Sequence, residues 1–108
     1  GMKEGDEIEG LIGWEYHGSP IEDLPGMEVV AHSEVKAGDG KPRSPHVATV
    51  YNGPKGNVVF DVGSIWWAQG LSSPPGHVLP ANGAAKPQGP DPRVQRMMTN
   101  VFDRFIKS

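Results

Sequence analysis

The stretch from His46 to Val62, HVATVYNGPKGNVVFDV, decides how this chain folds. Two runs rich in Val, Tyr and Phe, His46 to Tyr51 and Asn57 to Val62, flank Asn52-Gly53-Pro54-Lys55-Gly56. The glycines of that centre allow the positive φ that a tight reversal requires, so the pattern predicts a β-hairpin. Its second arm holds the unbroken run Val58-Val59-Phe60, which reads as a strand buried on both faces, inside a sheet covered by helices.

Downstream, Gly63-Ser64 breaks the strand, and the Ser64 hydroxyl is placed to cap a short helical turn through Ile65-Trp66-Trp67-Ala68, which Gly70 would stop. This role suits Ser64 better than that of a nucleophile, because its flanks do not give G-x-S-x-G. Residues 72–90 are dominated by Pro, Gly, Ala and Asn and form a long connection. Asp91-Pro92 then starts a helix sharply, with an N-cap acid followed by a proline whose missing N–H costs nothing at the first helical position. Val94, Met97, Met98, Val101, Phe102, Phe105 and Ile106 follow at the i, i+3, i+4, i+7 spacing of an amphipathic helix, which needs a sheet to lie on.

Upstream, Leu11 to His17 alternates, with Ile12, Trp14 and Tyr16 on one face and Leu11, Glu15 and His17 on the other, as a half-buried strand does. Met27 to Val35 alternates again, placing Met27, Val29, Ala31 and Val35 opposite Glu28, Val30, His32 and Glu34. Between them Ile21 to Gly26 is turn chemistry, and residues 36–45 are polar and Gly/Pro-broken, which predicts a flexible loop. Gly1 ahead of Met2 reads as the remnant of an expression tag, so the expectation is one domain over residues 2–108. Its expected class is α/β or α+β, a small mixed sheet of about four strands with the C-terminal helix packed on it.

Composition narrows the functional classes. A chain of 108 residues supports one core and needs no second. With a formal net charge of −3 and cations scattered among acids, it offers no basic stripe for a phosphate backbone, so nucleic acid is not an expected partner. The absence of cysteine excludes a disulfide framework, a thiolate metal site and a thiol nucleophile. No stretch approaches the ~20 apolar residues of a membrane span, and the N-terminus is acidic where a signal peptide is basic, so a soluble, cytoplasmic protein is expected.

The residues able to carry chemistry are few. Glu15 and His17 lie two apart on one expected strand, and His32 and Glu34 repeat that relation on the next. If those strands pair, the four side chains converge as ligands for iron or zinc; the plainer alternative is a solvated sheet face with no cofactor. Trp14, Trp66 and Trp67 serve either as core or as an interface or pocket. Adjacent indoles on a helical turn diverge by about 100°, so both are buried only if that turn is covered from two sides.

The run Gly56-Asn57-Val58-Val59-Phe60-Asp61-Val62-Gly63-Ser64-Ile65-Trp66-Trp67-Ala68, with Asp91-Pro92-Arg93-Val94 and Asn100-Val101-Phe102-Asp103-Arg104-Phe105 after the loop, resembles the C-terminal end of the N,N-dimethylformamidase large-subunit family. Gly13-Trp14-Glu15-Tyr16-His17-Gly18 is compatible with it. The resemblance implies the closing segment of an amidotransferase-like domain, from a family that hydrolyses a formamide at an iron held by two tyrosines and a glutamate. It carries none of those ligands onto a numbered position here, where the tyrosines are Tyr16 and Tyr51. Two functional readings follow. One is an accessory or subunit-like domain acting through oligomerisation or binding, as a homo-oligomer or as part of a larger amidohydrolase. The other is a metal-dependent hydrolase of small amides using Glu15, His17, His32 and Glu34.

Overall fold

In a computed structural model the chain is described over residues 1–13, 15–20, 24–78 and 89–107. It forms strands β1 (Glu28–Ser33), β2 (His46–Asn52) and β3 (Val58–Asp61), a 3₁₀ turn at Trp67–Gly70, and helix α1 (Pro92–Lys107). The strands make one sheet in the order β1-β2-β3, antiparallel throughout.

The β2–β3 hairpin forms where its turn chemistry places it. Asn52 faces Val58, Gly53 donates its N–H to the Asn57 carbonyl at 2.6 Å, and Gly56 takes φ +75°. The segment between β1 and β2, expected to be flexible, instead continues their ladder. Arg43 N–H donates to the Val35 carbonyl at 2.8 Å and Ala37 N–H to the Lys41 carbonyl at 3.0 Å. The Asp39 carboxylate ties the reversal by accepting from the Lys41 N–H at 2.9 Å.

Three expectations need correction. The described part of 11–17 forms no strand. It makes a single bridge, Tyr16 to Ser64, because its backbone bonds are shared between the Gly63–Ile65 turn and Val47 rather than laid along one partner. The sheet therefore has three strands among the described residues, not four. Continuous burial falls on the middle strand, from His46 to Thr49, whereas β3 at the sheet's edge is half-buried along its length. β1 is interrupted by a bulge between Val29 and Ala31 and is largely exposed, Val29 and Val30 included, so its alternation does not sort into a buried and a wet face.

Among the described residues, Leu11, Val47, Ala48, Trp66 and Val94 are the buried apolar side chains of the core. Gly70 lets α1 approach, since a side chain there would meet Val94 at 2.9 Å and Leu11 at 3.1 Å. Asp91 caps the helix as its sequence predicts. The carboxylate accepts the Arg93 N–H at 2.8 Å and two guanidinium donors of Arg93, at 3.0 and 2.7 Å, and Arg93 also reaches the Glu7 carbonyl at 2.9 Å. Beyond this anchored first turn, burial falls along the helix among the described residues. Met97, Met98 and Val101 are half-buried, but Phe102 is 54% exposed, Ile106 is 82% exposed, and Phe105 is also exposed.

Candidate functional site

Asp61 ends β3, and the chain then turns through Gly63 at φ +64°. A Cβ at Gly63 would collide with the Val47 carbonyl and lie 3.2 Å from the His46 ring, so this turn is open to glycine alone. Its geometry sets the neighbouring polar groups. Gly63 N–H donates to Asp61 Oδ1 at 2.8 Å, and the Gly63 carbonyl accepts the His17 N–H at 2.8 Å. On its other side the His17 carbonyl accepts the Val47 N–H at 3.2 Å. The backbone of His17 is thus held between β2 and the turn, and its Nδ1–H donates to Asp61 Oδ2 at 2.7 Å. A carboxylate only accepts, so this bond selects the Nδ1–H tautomer of a neutral ring and leaves Nε2 as the free acceptor.

His17 and Asp61 border an open cleft of about 440 Å³ that Glu15, Tyr16, Gly63 and Ile65 also line. Their side chains are 70% and 42% exposed, so the pair contributes little to folding, on the order of 1 kcal/mol or less. What the contact fixes is orientation. A second cleft, about 510 Å³, lies between the hairpin tip and the end of α1, lined in part by Asn52, Asn100, Asp103, Arg104 and Lys107. There Arg104 donates to Asn52 Oδ1 at 3.2 Å, which holds the hairpin tip to the helix.

Ser64 is structural. Its hydroxyl donates to the Leu11 carbonyl and accepts the N–H groups of Trp66 at 3.2 Å and Gly13 at 3.4 Å, so the oxygen is committed to joining the N-terminal segment to the turn. The helical turn itself runs from Trp67 to Gly70, later than the sequence suggests. Of the tryptophans, Trp66 is buried, Trp67 is half-buried with its ring edge-on to Phe60 at 6.0 Å, and Trp14 lies outside the described residues. Trp67 Nε1 and His46 Nδ1 are buried without a hydrogen-bond partner, while His46 Nε2–H donates to the Val62 carbonyl at 2.9 Å.

The four residues read as metal ligands divide across β2. Val47 pairs with His32 of β1 on one edge and donates to the His17 carbonyl on the other, which sets the two histidine backbones roughly 10 Å apart at ~4.8 Å per strand spacing. Glu15 stays beside His17 at the cleft, and Glu34 follows β1. Among the described residues no three His, Cys, Asp or Glu side chains gather as a metal site. The tyrosines are similarly apart: Tyr51 faces Val59, whereas Tyr16 faces Ser64 and gives its hydroxyl to the Ser44 carbonyl at 2.7 Å. The two tyrosines thus pair with different segments, and the Tyr16 hydroxyl is already committed to a backbone carbonyl. Asp61 was not singled out by sequence reasoning; it lies 44 positions from His17, and no local spacing marks it.

A family model described as N,N-dimethylformamidase beta subunit-like, C-terminal, matches residues 1–84. No curated protein and no solved structure matches the chain. The matched region contains the His17–Asp61 cleft, the whole sheet and the 3₁₀ turn, and stops before α1.

Proposed function

Since the chain belongs to the N,N-dimethylformamidase beta subunit-like, C-terminal family, we propose that it works as a subunit-like domain of an amide-hydrolysing assembly, acting by docking onto another protein surface. The observation that carries this reading is the second half of α1. Phe102 and Ile106 lie four apart on one flank, mostly in water, with Phe105 beside them and in edge contact with Phe102 at 6.3 Å. An exposed apolar flank of this kind costs solubility unless a partner covers it.

β1 supports the same reading, because its outer edge carries no strand among the described residues and Val29 and Val30 are half in water. A neighbour that extended the sheet past β1 and packed on α1 would build a larger layered arrangement of the amidotransferase-like kind. The partner is a protein, either a further copy or a larger amidohydrolase subunit; the chain's net charge of −3 disfavours nucleic acid.

Sedimentation velocity across the micromolar range tests the proposal, alone and with a beta-subunit-like protein that lacks this domain. Association that Phe102→Ser with Ile106→Ser abolishes is expected. A monomer in both experiments refutes it.

A further inference from the structure

We propose that His17, oriented by Asp61, is the proton acceptor that this domain contributes to amide hydrolysis, the rest of the site being supplied by the assembly it joins. The inference rests on the reading above and goes beyond it, from docking to chemistry. Four hydrogen bonds converge to place one imidazole: two on the His17 backbone, one on its Nδ1, and one that fixes the Asp61 carboxylate. Here the bond at Nδ1 sets the tautomer and the plane of the ring, which is what a carboxylate does for a histidine that moves protons.

The surroundings suit the task. Nε2 is left free on a ring whose side chain is mostly in water, beside a cleft of about 440 Å³ with room for a small amide and a water molecule. One wall is Ile65, 44% exposed, an apolar surface that a covering partner would make dry. The neighbouring hydroxyl of Ser64 is held by the Leu11 carbonyl and by two N–H groups, so water is the nucleophile this cleft can use. In this proposal the partner supplies the group that receives negative charge on the carbonyl oxygen.

The step balances without a further reagent. As water oxygen bonds to the amide carbon, its proton passes to His17 Nε2. The carbon–nitrogen bond then breaks, and the same proton goes from Nε2 to the departing amine nitrogen. A carboxylic acid and an amine are released, and the ring returns to its neutral form.

The test has two arms. In the isolated chain, long-range ¹H–¹⁵N correlation is expected to show His17 with the proton on Nδ1 at a pH where the ring is neutral; the Nε2–H tautomer overturns the proposal. In the assembly that contains this domain, with N,N-dimethylformamide as probe, His17→Gln is expected to lower kcat by roughly 10²- to 10⁴-fold with little change in KM or melting temperature. His17→Ala is expected to regain activity with added imidazole, and Asp61→Asn to lose less than His17→Gln. Wild-type kcat in His17→Gln overturns the inference and leaves the docking reading intact. An assembly that forms but hydrolyses no amide removes the reading on which both stand.

Discussion

Replacing Gly63 by alanine is expected to be among the most damaging single-methyl additions in the chain. The residue sits at φ +64°, where an L side chain costs about 1–2 kcal/mol. The added carbon would also fall well inside 3.0 Å of the Val47 carbonyl oxygen and 3.2 Å from the His46 ring. Val47 and His46 are both buried in the middle strand, so neither can step aside into solvent, and overpacking of this kind costs a further ~1–3 kcal/mol. Together the loss is about 2–5 kcal/mol, a large part of the ~5–15 kcal/mol that holds a domain of this size folded. Gly56→Ala is the internal control. Its φ is +75°, and an added Cβ would find no atom within 4 Å, so only the backbone cost of about 1–2 kcal/mol applies. Urea denaturation of the two variants beside the parent separates the contributions, provided the slopes agree. Equal midpoints for Gly63→Ala and Gly56→Ala would refute the argument that this turn is wedged against β2, and with it the rigid mounting of His17.

Other substitutions probe the remaining links. Asp91→Ala removes the helix cap and is expected to cost about 1–2 kcal/mol at neutral pH by chemical denaturation. The Arg93 guanidinium beside Asp91 holds its carboxyl below the ordinary value of 3.8, so the stabilisation is complete above that pH and is lost as the pH falls through the lower folded value. Parent and variant should therefore converge in acid, and a gap that persists there would show that the charge is not the cause. Val94→Ala, at a fully buried side chain packed on Gly70, is expected to lose roughly 2 kcal/mol and to free α1 first, read as faster amide exchange in the helix than in β2. Phe102→Ser with Ile106→Ser is expected to change the stability of the separate chain by less than about 1 kcal/mol, since both side chains are already in water, while removing association measured by sedimentation.

What the sequence made legible was whatever is determined locally. The β2–β3 reversal needs a glycine at the positive φ of Gly56, and the start of α1 needs an acid followed by proline, and both are where the residues put them. Alternation over 11–17 was less informative. A period of two reports which side chains share a face, but not whether a partner strand runs alongside, and here the backbone partners are split between Gly63, Ser64, Ile65 and Val47. The same limit explains the metal ligands. Glu15 and His17 were visible as a pair, as were His32 and Glu34, but their meeting depended on two expected strands lying side by side, and β2 lies between them. His17 meets Asp61 instead, through the turn that Gly63 makes, and no short-range pattern could report a contact 44 residues apart.

The helix gives a different lesson. Its apolar stripe runs from Val94 to Ile106, yet among the described residues burial follows it only as far as Val101. A helix that needed only the contacts present in this chain could carry polar residues at 102 and 106 at no cost to its fold, and polar residues there would improve solubility. Apolar side chains at both positions, one turn apart and on the same flank, therefore fit a surface that lies outside the described fold. Among the described residues Val29 and Val30 on β1 and Ile65 at the cleft are likewise exposed apolar side chains.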